Sequence, residues 1–142
     1  AAVLAINSII HAAAPDINVV QFGYDLLQLD ESARCAKFGD EVLPECKPVD
    51  ANDTQRECAN SQFASLQSEL ETIAKPFKRY TVVNLLGTLQ AGANYTGAAI
   101  GHPVLTRYSP KQYMQDNCIH ANDAGYDLIF AALWDAYFAK HV

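Results

Sequence analysis

The sequence has no Cys-x-x-Cys pair, which removes the usual spacing of a structural zinc shell. It has no stretch of about 18 consecutive apolar residues, so no membrane-spanning helix is expected. Internal repeats, low-complexity tracts and linkers are all missing. Basic residues are few: 10 Lys and Arg stand against 16 Asp and Glu, a net charge of −6. That balance argues against nucleic acid or an anionic membrane surface as the main partner, and the short cluster Lys75, Lys78, Arg79 does not reverse it. The chain does not open on Met. No basic n-region precedes the Ala- and Ile-rich residues 1–14, which Asn7, Ser8 and His11 interrupt. They read as an amphipathic helix of a processed or mature chain, not as a signal peptide.

What is present is a folded, globular composition of 142 residues, half of them apolar, enough for one domain or less. Four cysteines, Cys35, Cys46, Cys58 and Cys118, allow three pairings, and sequence alone does not choose among them. Two N-x-[ST] sequons make Asn52 and Asn94 candidate glycosylation sites. Paired cysteines and sequons together point to an oxidising compartment, so a secreted or lysosomal protein of the secretory pathway is expected.

Along the chain, Val3, Ile6, Ile9, Ile10 and Ala13 repeat with helical spacing up to Pro15-Asp16. Residues 17–22 form a β-branched apolar run closed by Gly23, the pattern of a strand buried on both faces. Residues 24–50 look irregular, with Asp25, Asp30, Glu31, Pro44 and Pro48, and a Cys35–Cys46 bridge would tie this excursion. Asn52 or Asp53 caps a helix whose apolar stripe is Ala59, Phe63, Leu66, Leu70, Ile73 and Ala74, ending at Pro76. Residues 80–86 repeat the buried-strand pattern, with Asn84 inside it needing a hydrogen-bond partner. A long loop over 88–115 follows. Asn122 then caps a final helix to about residue 140, whose aromatic stripe of Tyr126, Phe130, Trp134, Tyr137 and Phe138 reads as core.

Helices alternating with apolar strands predict an α/β fold with a parallel sheet. Two strands do not make an independently stable sheet. The chain therefore reads as half of a three-layer, doubly wound (flavodoxin-like) domain, completed by a companion chain or segment that supplies more strands.

In such sheets ligands bind beyond the carboxyl ends of the strands. The loop leading into the last helix carries His120, with Asp116 four residues earlier. A loop histidine beside a carboxylate can act as a general base, the carboxylate fixing its tautomer. Cys118 is next to it and reads as structural, because neighbouring loop residues tend to point apart. A metal shell of Asp116, Cys118 and His120 is too crowded in sequence, and no metal is expected. His102 reads as a plain loop residue, His11 as a surface one, and His141 as part of a frayed tail.

His120-Ala121-Asn122-Asp123-Ala124-Gly125-Tyr126 resembles the last block of the SGNH, or GDSL-type, hydrolases, approximately Asp-x-x-His-Pro-Asn-x-x-Gly-Tyr ahead of a C-terminal helix. Residues 1–24 and 51–86 resemble the helix–strand pairs that precede it. The resemblance spans residues 1–142 as the C-terminal portion of one such domain. It implies an ester or acyl hydrolase acting on an acyl-ester substrate, with no cofactor, and with His120 taking the proton of an attacking serine. The serine and the oxyanion-hole residues of that family lie in earlier blocks. This chain has neither Gly-Asp-Ser nor Gly-x-Asn-Asp. A companion chain carrying the N-terminal half is implied, and the chain alone is expected to be inactive. The family's acid stands three residues before His, where this sequence has Asn117. A one-residue bulge would let Asp116 serve instead, and Asp116 is taken as the acid with Asn117 as the alternative. The rival reading is a catalytically inactive structural or binding subunit on the same scaffold.

Overall fold

Both asparagines expected to cap helices do so. The Asn52 side chain accepts the Gln55 N–H at 3.1 Å and that of Asn122 accepts the Gly125 N–H at 3.0 Å. In a computed structural model that describes residues 2–30 and 32–142, the elements are α1 (Ala2–Ala13), β1 (Val19–Phe22), α2 (Ala33–Val42), α3 (Asp53–Ala74), β2 (Tyr80–Val83), α4 (Thr88–Gly92) and α5 (Asp123–Ala136). Glu31, grouped above with the acids of the 24–50 excursion, lies outside the described residues.

The fold is mixed α/β. β1 and β2 pair in parallel, Val19 opposite Tyr80 and Phe22 opposite Val83. Alternation along a strand puts Val20, Phe22, Thr81 and Val83 on one face and Val19, Gln21, Tyr80 and Val82 on the other. On the first face Val20 and Val83 join a core with Ile129, Leu133 and Tyr137 from α5 and its end. On the second, Gln21 shares a recess with Phe63, Leu66 and Leu70 of α3, and the Tyr80 hydroxyl donates to the Gln21 side chain. The sheet is thus sandwiched between α3 and α5.

Several expectations are corrected. The excursion over 24–50 is irregular only in part: Asp25 to Leu29 lack regular secondary structure but are all buried, and Ser32, accepting the Cys35 N–H at 3.3 Å, starts α2. No Cys35–Cys46 bridge forms. Cys35 pairs with Cys118 across 83 residues and Cys46 with Cys58 across 12. The long loop over 88–115 contains α4 and a 3₁₀ turn at Lys111–Tyr113. Its middle is clamped by two buried amides. Asn60 donates to the carbonyls of Leu105 and Arg107, while Gln90 donates to those of Val104 and Arg107 and accepts the Val104 N–H. Asn84 lies just past β2 and finds its partner locally, accepting the Leu86 N–H at 3.2 Å. His11 is half-buried against Phe77, and His141 stacks on Tyr137 at 4.3 Å instead of fraying.

The apolar stripes are real, but parts of them are left uncovered. β1 is partly exposed along its length instead of buried on both faces. Ile6 and Ile9 on α1, Leu66 on α3, and Phe130 and Trp134 on α5 are more than half exposed, so the aromatic stripe of α5 is only partly core. β1 pairs only with β2, which leaves its other edge open among the described residues. The accessible surface is 8075 Å² for 15.5 kDa. A compact monomer of that mass exposes about 7200 Å².

Candidate functional site

The loop before α5 is a closed turn built from its own polar groups. Met114 and Ala121 form an antiparallel bridge, and Gln115 N–H donates to the His120 carbonyl at 2.8 Å. At the tip, the Asn117 amide oxygen accepts two backbone N–H groups, Ile119 at 3.1 Å and His120 at 2.9 Å. Its amide nitrogen donates to the Gln115 side chain at 3.0 Å. Cys118 takes the left-handed conformation, φ 71°, uncommon for a residue with a Cβ. Two ties hold it there: the disulfide to Cys35 on α2, and its carbonyl, which accepts the Gln28 N–H at 3.0 Å.

The base of the loop is fixed by Asn122 and Gly125. Asn122 caps α5 with its oxygen, while its amide nitrogen donates to the Gln112 carbonyl at 2.8 Å and its N–H to that of Tyr113 at 2.9 Å. A Cβ at Gly125 would run into the Tyr113 carbonyl oxygen, so the backbone of the loop can lie on the first turn of α5 only over glycine.

His120 is half-buried at this turn. Its ring meets Tyr24 edge to face with centroids 6.1 Å apart. Its chain neighbours Ile119 and Ala121 line a cavity of about 330 Å³ together with Phe22, Tyr24, Asp25, Leu26, Leu89, Met114, Tyr126 and Ile129. This cavity opens beyond the carboxyl end of β1, the place where open α/β sheets bind ligands. Its lining contains no serine, threonine or cysteine.

The two candidate acids behave differently. Asp116 is exposed and borders a shallow groove with Arg34, Gln115 and Asn117. Among the described residues neither the Asp116 carboxylate nor the Asn117 amide is hydrogen-bonded to the His120 ring. Asn117 instead builds the turn that presents it. Cys118, next to the histidine, has its sulfur in the bond to Cys35 and offers no thiolate. His102 is exposed in the loop, bridged to Ala99 through the backbone.

Asp25 is the cavity residue that sequence reasoning missed. One carboxylate oxygen accepts the N–H groups of Leu26 at 2.7 Å and Gly87 at 2.6 Å, and the other accepts that of Leu89 at 2.7 Å. The carboxylate thus caps α4 from the end of β1 and locks together the two strand exits. Gly87 takes φ 80° to turn its N–H inward. Burial pushes the Asp25 pKa up from 3.8, and the three backbone bonds pull it back in part. A signal was present: Asp25 stands between a strand-ending Gly-Tyr and the apolar run Leu26-Leu27-Gln28-Leu29, where a carboxylate must be drawn inside and satisfied.

Among the described residues no group of histidine, cysteine and acidic side chains is arranged to hold a metal ion, and no helix is long and apolar enough to cross a membrane. Two intrachain disulfides fit a protein of an oxidising compartment, such as a secreted one. Comparison of the chain with known protein families, with curated proteins and with solved structures found no match to any of them.

Proposed function

We propose that this chain is the C-terminal portion of a serine ester or acyl hydrolase of the SGNH type, with His120 as general base and the serine carried by a companion chain or segment. The observation that supports this reading most is the position of His120. It stands between two residues that line a mostly apolar cavity beyond a strand end, on a loop held by a disulfide and a helix cap, and the lining holds no serine, threonine or cysteine. An imidazole held in this way would accept the proton of a serine hydroxyl attacking an acyl carbonyl. Asp116 would support the imidazolium once its side chain turned toward the ring.

The companion would seat on the open edge of β1. A parallel strand added there would satisfy the free backbone groups of that edge, and its helices would cover Ile6, Ile9, Phe130 and Trp134. The surface excess of about 900 Å² over a compact monomer is close to one side of a standard protein interface. The assembly would be half of a doubly wound sheet completed by the other half, in a secreted or lysosomal enzyme.

The test uses the native particle. A serine-directed phosphonate should label the companion and not this chain, and His120→Ala should lower hydrolysis of a short acyl ester by at least about three orders of magnitude. A particle made of this chain alone, or one that hydrolyses equally well without His120, would overturn the catalytic reading. The rival, an inactive binding subunit, rests on a specific observation. The ring of His120 lacks a carboxylate partner, and Asn117 stands at the family's acid position with its amide committed to the turn. Unchanged hydrolysis in His120→Ala would favour it.

A further inference from the structure

A second recess, of about 600 Å³, differs from the first in being polar. Its wall includes Asp30, Asp53, Arg56, Tyr95, Thr106 and Arg107. Neither sequon asparagine lines it, but the residue after each does. Asp53 is the middle residue of Asn52-Asp53-Thr54, and Tyr95 is the middle residue of Asn94-Tyr95-Thr96. We propose that this groove is the seat of the first sugars of an N-linked glycan carried by Asn94.

The two asparagines are not equivalent. The Asn52 oxygen already caps α3. Asn94 is exposed at φ 57°, a conformation that asparagine tolerates, and among the described residues its side chain makes no hydrogen bond. It lies at the start of a tight turn in which Ala98 N–H donates to the Tyr95 carbonyl at 3.0 Å and Gly97 has φ 86°. Tyr95, the first residue of that turn, lines the groove.

The lining is polar and suits an oxygen-rich ligand. Arg56 is matched by Asp30 at 3.7 Å and Asp53 at 3.1 Å. Arg107 lies over the Tyr95 ring at 4.9 Å, and among the described residues its guanidinium has no carboxylate partner. Its donors call for acceptors, and Lys111 lines the same groove. Sugar hydroxyls and N-acetyl carbonyls supply acceptors without a negative charge. In the modification itself the Asn94 Nδ2 bonds to C1 of the sugar as the C1–O bond to a lipid-linked diphosphate donor breaks. The diphosphate departs, and the amide gives up one proton.

This inference does not depend on the hydrolase reading. The test is secretion from a glycosylating host, an intact-mass measurement, and the rate at which a glycan-releasing amidase clears Asn94. Asn94 should be occupied, and release from the native protein should be roughly tenfold slower than from the unfolded chain, as expected for a stem held by one or two hydrogen bonds. Arg107→Ala should close most of that gap and leave release at Asn52 unchanged. An unmodified Asn94, equal release from native and unfolded protein, or protection that survives in a folded Arg107→Ala would each overturn the proposal. The native-against-unfolded comparison needs no variant, so it stands even if Arg107→Ala fails to fold.

Discussion

Asn117 holds His120 by the backbone and not by the ring: its amide oxygen accepts the His120 N–H at 2.9 Å. An acceptor is what this position requires, and a carboxylate provides one as well as an amide does. Asn117→Asp should therefore keep the turn, losing only the bond from the Asn117 amide nitrogen to Gln115 and with it a smaller part of the stability. Asn117→Ala strands the N–H groups of Ile119 and His120 and should lower stability by about 1–3 kcal/mol. Thermal unfolding of the two variants side by side checks this, and equal losses would count against the turn role.

Asp25 makes stability depend on pH with a definite sign. Its folded pKa lies above the unfolded one because of burial, so its contribution is fully present below about 3.8 and is lost as pH rises through the folded value. Asp25→Asn removes that titration and also turns an N–H toward backbone N–H groups. The variant should be the less stable protein at the acid end, and its deficit should shrink as pH rises toward neutrality. Urea midpoints measured across that range would show a constant deficit if Asp25 did not titrate.

The two disulfides should differ in weight. Chain-entropy reasoning makes the Cys35–Cys118 bridge, closing 83 residues, worth about 2 kcal/mol more than the Cys46–Cys58 bridge, closing 12. Double Cys→Ala variants compared by urea unfolding test the order. Loss of Cys35–Cys118 should also quench the edge-to-face contact of Tyr24 with His120, visible as a shift of the His120 ring protons.

Gly125→Ala adds one methyl group where the Tyr113 carbonyl lies against α5. Alanine is otherwise the better helix residue, so a destabilisation of about 1–3 kcal/mol would report overpacking and not propensity. A variant as stable as the parent would show that the loop can lift off the helix without penalty.

What could be read from the sequence was whatever is encoded locally. The caps at Asn52 and Asn122 and the period of the helices depend on residues a few positions apart. β1 and β2 followed from β-branched runs ended by glycines. α2 escaped because it is short and its charged residues Arg34, Lys37, Asp40 and Glu41 interrupt the apolar ones, although Ser32 was a usable start signal. Burial of Asp25 to Leu29 escaped because it is created by segments near 109 and 118, such as the Ser109 N–H donating to the Leu27 carbonyl. The expected core face of α5 was only half right for a related reason. Periodicity identifies an apolar face, but the neighbour that covers it is a separate fact, and Phe130 and Trp134 stay more than half exposed. At the site, His120 was visible as a loop histidine before a cap. The orientation of Asp116 and Asn117 was not, because the left-handed turn at Cys118 is held by a bond to α2.

All four cysteines are used up within this chain, and none is free. A companion on the open edge of β1 would therefore be held without a covalent tether from this side. Were that companion a separate chain, denaturant alone, with no reductant, would separate the two, and only the intact surfaces of the folded halves would let them find each other again.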